Sequence, residues 1–259
     1  MTILLKSAQE IEILREGGKK HALLLAQLAS MVKPGVSTLF LEEEARRMIK
    51  ELGDEPAFLG YKPAGAKRPY PAALCVSIND EIVHGIPNEV ERIIKDGDIV
   101  SLDLGLKHGG LITDSAITVP CGAIDDESRR LLEVAQLALQ RGLDAAKPGC
   151  TVGDIGFLIS SAVRGSGFSL AKDLAGHGVG YSVHEEPFIP NFGDKGKGEK
   201  LVAGMVLAIE PMVNVGKPGI RLASDGYTIK TADGSRSAHF EHTVAITEEG
   251  NIVLTASRD

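Results

Sequence analysis

The sequence has 259 residues, 43% of them hydrophobic, with 28 Lys and Arg against 35 Asp and Glu for a formal net charge of −7. This ordinary globular composition excludes disordered and collagen-like classes, and no apolar run reaches the roughly 20 residues that a membrane-spanning helix needs. The acidic balance argues against nonspecific nucleic-acid binding, because neutralising phosphates usually requires a basic surface.

Four helices are predicted from apolar periodicity together with start and stop signals. Their predicted ranges are 7–31, 38–52, 126–146 and 151–164. Ser7 is the predicted cap of the first helix. Thr151 and Asp154 form a predicted capping box at the start of the fourth.

The stretch that ends the first helix of each pair is nearly the same. Residues 33–37 are KPGVS and residues 147–151 are KPGCT, 114 positions later (147 against 33). Alternating apolar segments predict strands at 74–79, 99–104, 111–119, 202–210, 227–231, 239–246 and 252–254. A helix pair followed by antiparallel strands, twice, predicts an α+β fold with pseudo-twofold duplication, in repeats of about 7–120 and 126–255. Since Pro-Gly often ends helices, chance similarity is the alternative.

Two aspartates lie in the hairpin that the second and third predicted strands form. We place its turn between His108 and Gly109. Asp103 then lies directly opposite Asp114, with Cβ atoms only ~4.5–5.5 Å apart, where like charges destabilise a sheet. A metal pair bridged by carboxylates would remove this repulsion. A turn at Gly109-Gly110 would stagger the pair, and exposure of both aspartates is the other alternative.

Two glutamates of the second half show a similar anomaly. Glu210 ends an apolar strand, and Glu241 lies within the strand predicted at 239–246. Charged side chains are rarely buried unless they are paired or bound to a metal. Taken alone, each glutamate is interpreted as a surface residue at a strand edge. Taken together with the two aspartates, the glutamates predict a cluster of four carboxylates.

Three of the seven histidines lie in segments that suggest a site. His84 is in VHGIP, His177 in GHGVG and His184 in HEEP. The glycines around His177 allow close approach of the backbone, which suits a site better than a packed core. The other four are interpreted as ordinary core or surface residues: His21, His108, His239 and His242.

Seven segments then carry a resemblance to a known family. They are 83–87, 98–103, 113–114, 176–180, 184–187, 209–212 and 240–243. In this order they resemble type I methionine aminopeptidases, the short bacterial form of the M24 pita-bread metallopeptidases, over essentially the whole chain. The resemblance implies the pita-bread fold, an antiparallel sheet flanked by helix pairs, in a single catalytic domain over 1–259.

The resemblance also implies an activity, namely release of the initiator methionine from nascent polypeptides, with a small second residue preferred. The positions that match the family's metal ligands are Asp103, Asp114, His177, Glu210 and Glu241. Asp114 and Glu241 would bridge two divalent ions that share a nucleophilic hydroxide. Glu210 would also shuttle protons, while His184 and His84 would contact the scissile amide and the substrate.

The same resemblance implies an apolar pocket for the methionine side chain. Its predicted lining is Tyr61, Tyr70, Cys75 and Tyr227, with Phe58 and Val183 nearby. Phe58 is large where the family commonly has a small residue, and Val183 is small where an aromatic residue is common. We therefore hypothesise a size exchange that preserves the pocket volume.

The oxygen-rich ligand set with one imidazole suits manganese, iron or cobalt. A monovalent cation near Asn79 and Ser237 is a further expectation.

Two alternatives to the methionine-specific enzyme stay open. One is an Xaa-Pro peptidase of the same fold, although only 83 residues precede His84, too few for the usual N-terminal domain of that group. The other is a metal-free binding module.

The remaining features concern location and partners. Cys75, Cys121 and Cys150 are odd in number and widely spaced, which fits neither a disulfide framework nor a CxxC zinc site. With no apolar secretory segment at the N-terminus, we expect a cytoplasmic protein. Basic loops at 62–68 and 195–200 are interpreted as solvated surface, with a transient ribosome contact as the alternative. A monomer is the default, and no DNA or membrane partner is expected.

Overall fold

The computed structural model describes residues 2–256. Its helices are α1 (Ala8–Met31), α2 (Thr38–Glu51), α3 (Asp126–Ala145) and α4 (Val152–Val163). Each boundary lies within one residue of the prediction. Both predicted caps are present: Ser7 forms a capping box with Glu10, and Thr151 forms one with Asp154. These side chains satisfy backbone N–H groups that the first helical turn leaves free.

Fifteen strands occur within residues 2–256. Those of the first half are β1 (Glu55–Pro56), β2 (Leu74–Ile78), β3 (Glu81–Val83), β4 (Ile99–His108) and β5 (Leu111–Pro120). Those of the second half are β6 (Ser169–Leu170), β7 (Ala175–Gly178), β8 (Glu185–Pro190), β9 (Val206–Ile209), β10 (Met212–Asn214), β11 (Ile220–Leu222), β12 (Ile229–Thr231), β13 (Ser237–His239), β14 (His242–Ile246) and β15 (Asn251–Val253). The helix pair followed by antiparallel strands therefore occurs twice along the chain, as predicted.

The strands form four antiparallel groups. β4 pairs with β1, β2 and β5, and five strands are ordered β15-β14-β9-β7-β8. Two three-stranded sheets are ordered β13-β10-β6 and β11-β12-β3. The strand predicted at 239–246 is interrupted at Phe240 and Glu241, so that β13 and β14 belong to different sheets. The strand predicted at 202–210 is restricted to β9.

The register predicted for the β4–β5 hairpin is wrong. Asp103 pairs with Ala116, two residues beyond Asp114. The turn occupies Gly109 and Gly110, whose φ angles are 56° and 86°. A two-residue type I′ turn needs positive φ at both positions, which glycine adopts without a steric penalty. The aspartates are therefore diagonal neighbours on one face of the hairpin, still within reach of one another.

Three hydrophobic clusters position the site. One packs α1 and α2 on β2 and β4, and another packs α3 and α4 on β9 and β14. The third lies between them and draws Leu14, Cys75, Ala208 and Tyr227 from both halves of the chain. The centre of the molecule is thus a seam between two helix-covered layers. None of the helices in the described range combines the length and apolarity required to cross a bilayer.

Candidate metal centre and pocket

The five predicted metal ligands come from five different places along the chain and lie in this central seam. Asp103 is on β4, Asp114 on β5 and His177 on β7, while Glu210 follows β9 and Glu241 precedes β14. Asp114, His177 and Glu241 offer ligand atoms that all lie within 4.8 Å of one another. Nε2 of His177 lies 3.3 Å from a carboxylate oxygen of Glu210.

Backbone and hydroxyl contacts tie the two halves together beneath the carboxylates. The amide of Glu241 donates to the carbonyl of Ala116 at 2.9 Å, and the Ser115 hydroxyl donates to the carbonyl of Glu241 at 2.8 Å. Thr243 accepts from the Asp114 amide at 2.8 Å and donates to the Asp114 carbonyl at 2.7 Å. These bonds fix β5 against the segment that carries Glu241.

The carboxylates are buried without donors to match their oxygens. Asp103, Asp114 and Glu241 are 7%, 3% and 2% exposed. The Oδ1 atoms of Asp103 and Asp114 receive no hydrogen bond from any group in residues 2–256. Buried polar atoms are normally satisfied, and carboxylate oxygens are the preferred ligands of hard divalent ions. The residues present therefore fit a bound metal.

Protonation of these groups reflects the same crowding. Burial, followed by the Asp103 charge, raises the pKa of Asp114 well above its usual range. Burial, followed by the Asp114 charge, raises the pKa of Glu241 well above its usual range. Burial also raises the pKa of Asp103 to about 6. A cation among the carboxylates would favour their ionised forms and reverse this direction.

Glu210 behaves differently because imidazoles face it. Burial alone would raise its pKa, but His177 and His239 lower it to about 2. The pKa of His177 is reduced by burial and raised by Glu210, with a net increase. Nδ1 of His177 lies 2.9 Å from the carbonyl of Gly178, which leaves Nε2 directed at the carboxylates. Such a backbone bond orients the ring of a metal-ligating histidine.

The sequence predicts an ordinary core or surface role for His239, but the structure places this histidine beside Glu210. It is 2% exposed, and its Nε2 lies 3.5 Å from the second carboxylate oxygen of Glu210. Neither ring nitrogen has a hydrogen-bond partner in the described part of the chain. The available signal was its position two residues before Glu241, since alternate residues of an extended chain share a face.

A cavity of about 100 Å³ opens beside the carboxylates. Its lining consists of the thirteen predicted site residues together with Pro63: Phe58, Tyr61, Pro63, Tyr70, Cys75, His84, Asp103, Asp114, His177, Val183, His184, Glu210, Tyr227 and Glu241. Cys75 pairs with Asp103 across β2 and β4, so the pocket adjoins the metal centre directly. The volume is below the ~300–1,000 Å³ of sites for drug-sized ligands and suits a single side chain.

Two neutral histidines border this cavity. Desolvation by the groups around the cavity lowers the pKa of His84 to about 4 and that of His184 to about 3, while part of His184 remains exposed to solvent. Nδ1 of His184 lies 2.8 Å from the Tyr61 hydroxyl. With the tyrosine donating, Nε2 of the neutral ring keeps its hydrogen and is a donor. The ring centroids of His184 and His177 are 4.4 Å apart.

The two residues expected near a monovalent cation are adjacent. The amide of Ser237 donates to the carbonyl of Asn79 at 2.9 Å. The Asn79 side chain donates to Asp98 at 2.8 Å. The bound cation stays a prediction.

Comparison with known proteins gives the family. The sequence profile described as metallopeptidase family M24 matches residues 12–248. The chain belongs to this family. A protein named methionine aminopeptidase 1 from Bacillus subtilis is 45% identical over 253 residues, covering 98% of this chain and 99% of the relative. A methionine aminopeptidase from Aquifex aeolicus is 49% identical over 257 residues, covering 98% and 99%.

Solved structures agree with this membership. The crystal structure of a methionine aminopeptidase from Thermotoga maritima superposes with a TM-score of 0.93 at 40% identity, covering 99% of this chain and 100% of that one. A prolidase from Pyrococcus furiosus shares the fold at 22% identity and a TM-score of 0.76, with 66% of its own chain covered. The predicted pita-bread fold and the class of metallo-exopeptidase are confirmed, and membership of a metallopeptidase family implies a bound metal.

Proposed function

We propose that this protein releases the initiator methionine from nascent polypeptides, preferring a small second residue, by hydrolysis at a two-metal centre. One observation carries the proposal. A cavity sized for one side chain adjoins a cluster of four carboxylates, three of them buried and Glu210 12% exposed, and an imidazole. The relatives named methionine aminopeptidase, similar over nearly the full chain, supply the substrate.

Five residues would hold the metals in this proposal: Asp103, Asp114, His177, Glu210 and Glu241. Asp114, His177 and Glu241 offer ligand atoms within 4.8 Å of one another, which supports a shared role in holding the metals. When bound, two divalent ions supply a water nucleophile of lowered pKa and stabilise charge that develops on the scissile carbonyl. Manganese, iron and cobalt all suit this donor set.

The side chains around the centre would move and hold protons. Glu210, which His177 and His239 keep ionised at neutral pH, would take a proton from the nucleophilic water and pass it to the leaving amine. Nε2 of neutral His184 would donate to the scissile amide oxygen. His84, also neutral, would contact the substrate peptide.

The apolar side of the cavity would hold the methionine side chain. Tyr70 and Tyr227 meet edge to face, with ring centroids 5.2 Å apart, and Phe58, Cys75 and Val183 complete the buried wall. An unbranched thioether fits such a wall by dispersion and sulfur–aromatic contacts. Ionised or branched side chains would lose hydration or clash there.

The proposed substrates are made in the cytoplasm, so we place the protein there as a monomer that acts on emerging N-termini. Contact with the ribosome and a monovalent cation near Asn79 and Ser237 belong to this proposal as secondary points. Cation binding is open to a direct check, because potassium should raise the melting temperature more in the wild type than in Asn79→Ala.

The test is release of free methionine by protein reconstituted with manganese, iron or cobalt. Met-Ala-Ser should be cleaved, while Met-Lys-Ser and an Ala-Pro-Ser peptide should not. Elemental analysis should find two ions per chain after gel filtration. Cleavage of the Xaa-Pro peptide alone would move the substrate to that class, and a metal-free, inactive protein would favour a binding module.

A further inference from the structure

A buried ion pair lies at the base of the loop that carries two pocket residues. The ammonium of Lys6 donates to Oε2 of Glu185, and the two side chains are 1% and 5% exposed. Lys6 lies just before α1, whereas Glu185 is the first residue of β8. The pair therefore joins the N-terminal segment to the far edge of the five-stranded sheet.

The second oxygen of Glu185 holds the loop itself. Oε1 accepts from the backbone amides of Tyr181 and Ser182, the latter at 2.9 Å. Both carboxylate oxygens are thus used, one by the lysine and one by the loop. Without the lysine, this buried carboxylate would keep a negative charge with no cation beside it, which is strongly unfavourable.

The backbone is shaped to admit the lysine. Gly180 has φ +142°, and a Cβ built there would lie 2.4 Å from Cε of Lys6. The Lys6 amide donates to the carbonyl of Gly204 at 2.7 Å, and Nζ also reaches the carbonyl of Leu4 at 3.1 Å. A side chain at position 180 would displace the ammonium from Glu185.

The start of α1 adds a second contact to the same loop. The hydroxyl of Tyr181 donates to Glu10 at 2.7 Å, and Nζ of Lys6 lies 4.9 Å from the centroid of the Tyr181 ring. Glu10 is also the partner of Ser7 in the capping box of α1. The N-terminal segment and the first helical turn together hold residues 180–182.

The loop leads directly into the pocket. Val183 and His184, which follow the anchored residues, both line the cavity. The Tyr61 hydroxyl bonds the His184 ring and not its backbone. On either side of residue 184, the backbone is held by the bonds at Tyr181 and Ser182 and by the pairing of Glu185 with Gly178.

We infer that Lys6 and Glu185 are positioning residues, which set the distance between the His184 imidazole and the scissile amide. This inference rests on the proposed function and adds to it a role for the N-terminal segment. The reason is geometric, since a misplacement of about 1 Å can cost on the order of 100-fold in rate. A pair that merely stabilises the fold would lower the melting temperature but would not act through His184.

The test is a double-mutant cycle on methionine release from Met-Ala-Ser, measured well below the melting temperature of every variant. Lys6→Met alone should lower kcat about 10- to 100-fold with a smaller change in KM. In a His184→Asn background the same substitution should change kcat less than about threefold, because the two residues act as a unit. Lys20→Met, which removes a lysine paired with Asp54 away from the cavity, is the matched control and should leave kcat unchanged.

Equal losses in both backgrounds, or an unchanged kcat in Lys6→Met, would overturn the inference. Glu185→Gln is the second variant if Lys6→Met folds poorly, since the amide keeps an acceptor for Tyr181 and Ser182. Hydrogen exchange separates this inference from the proposed function because it needs no turnover. The amides of Tyr181 and Ser182 should exchange faster in Lys6→Met than in Lys20→Met, and unchanged protection would contradict the anchoring even if the wild type released no methionine.

Discussion

Phe58 is 8% exposed, and its ring packs over the backbone of β4. A Cβ at Gly105 would lie 2.6 Å from Cε1 of Phe58, so the glycine provides part of the space for the ring. Gly105 is therefore a third position on which the hypothesised size exchange between Phe58 and Val183 depends. Both side chains line the cavity, and their combined volume limits what can enter it.

Phe58→Cys should enlarge the pocket and weaken methionine selectivity. We expect the ratio of kcat/KM for Met-Ala-Ser to that for Leu-Ala-Ser to fall about tenfold, because one or two methylenes in an apolar pocket discriminate by about that factor. The control is Phe40→Cys, at an exposed phenylalanine on α2. An unchanged ratio would remove the size-exchange hypothesis.

We expect His21 to make the stability of the protein depend on pH without involving the candidate metal ligands. It is fully buried, Nδ1 lies 3.0 Å from the Thr113 hydroxyl, and burial followed by the charge of His242 lowers its pKa to about 3. Because the folded pKa is below the unfolded value of 6.5, the unfolded chain binds the proton first. Above about pH 6.5 the protonation of His21 does not reduce the free energy of unfolding. As the pH falls from 6.5 towards 3, the free energy of unfolding decreases.

His21→Leu should remove this dependence. Between pH 7.5 and 5 the wild type should lose about 2 kcal/mol more unfolding free energy than the variant. Urea unfolding at both pH values measures this difference, and the other titrating groups cancel in the comparison. Parallel pH profiles would show that His21 is not held neutral.

At the scale of elements, helix ends were the most predictable part of the structure. A capping box and a Pro-Gly stop are local signals, and local geometry decides them. At α4, the Thr151 hydroxyl accepts from the Asp154 amide while the Asp154 carboxylate accepts from the Thr151 amide at 2.8 Å.

Thr151→Ala should therefore destabilise the protein by about 1 kcal/mol, the usual cost of losing an N-cap. Ser160→Ala is the matched control, since the Ser160 hydroxyl only bonds a carbonyl within the same helix. The control should stay within about 0.5 kcal/mol of the wild type in urea unfolding. Equal effects from both substitutions would mean that the box adds nothing.

Strands were predicted less well, for physical reasons. β1, β6 and β7 have two to four residues, too few for a period of two to be visible, and β7 carries the metal-ligand candidate His177 in a Gly-rich segment. The hairpin register depended on which two residues form the turn, and the Gly109-Gly110 pair decided it by accepting positive φ twice. Resemblance to the family supplied His177 as a candidate ligand, which strand periodicity could not do.

At the scale of the whole molecule, the site forms where the two halves of the chain pack against each other. β5 and the Glu241 segment are joined by the bonds of Ser115 and Thr243. Residue type predicted which carboxylates are unusual, but the partners that position them are remote in sequence. Lys6 and Glu185 are 179 residues apart, and no local pattern announces such a pair.

Metal binding should couple to the stability of this seam. The pKa values of Asp114 and Glu241 are raised above their ordinary values in the metal-free fold, which reflects charge that folding alone leaves uncompensated. A divalent ion at 100 times its dissociation constant should stabilise the protein by about 2.7 kcal/mol, and a chelator should reverse this. Calorimetry checks the shift, and the variant Asp114→Asn with Glu241→Gln should show none.

The most direct test of the central claim is methionine release from Met-Ala-Ser by metal-reconstituted wild type beside Asp114→Asn. Asp144→Asn, an aspartate on α3 with its side chain 46% exposed, is the matched control. The account predicts release by the wild type and the control, with loss of at least about 100-fold in Asp114→Asn and fewer than two bound ions. Full activity in Asp114→Asn would contradict a metal centre built on Asp114, and an inactive wild type holding two ions would contradict the proposed substrate.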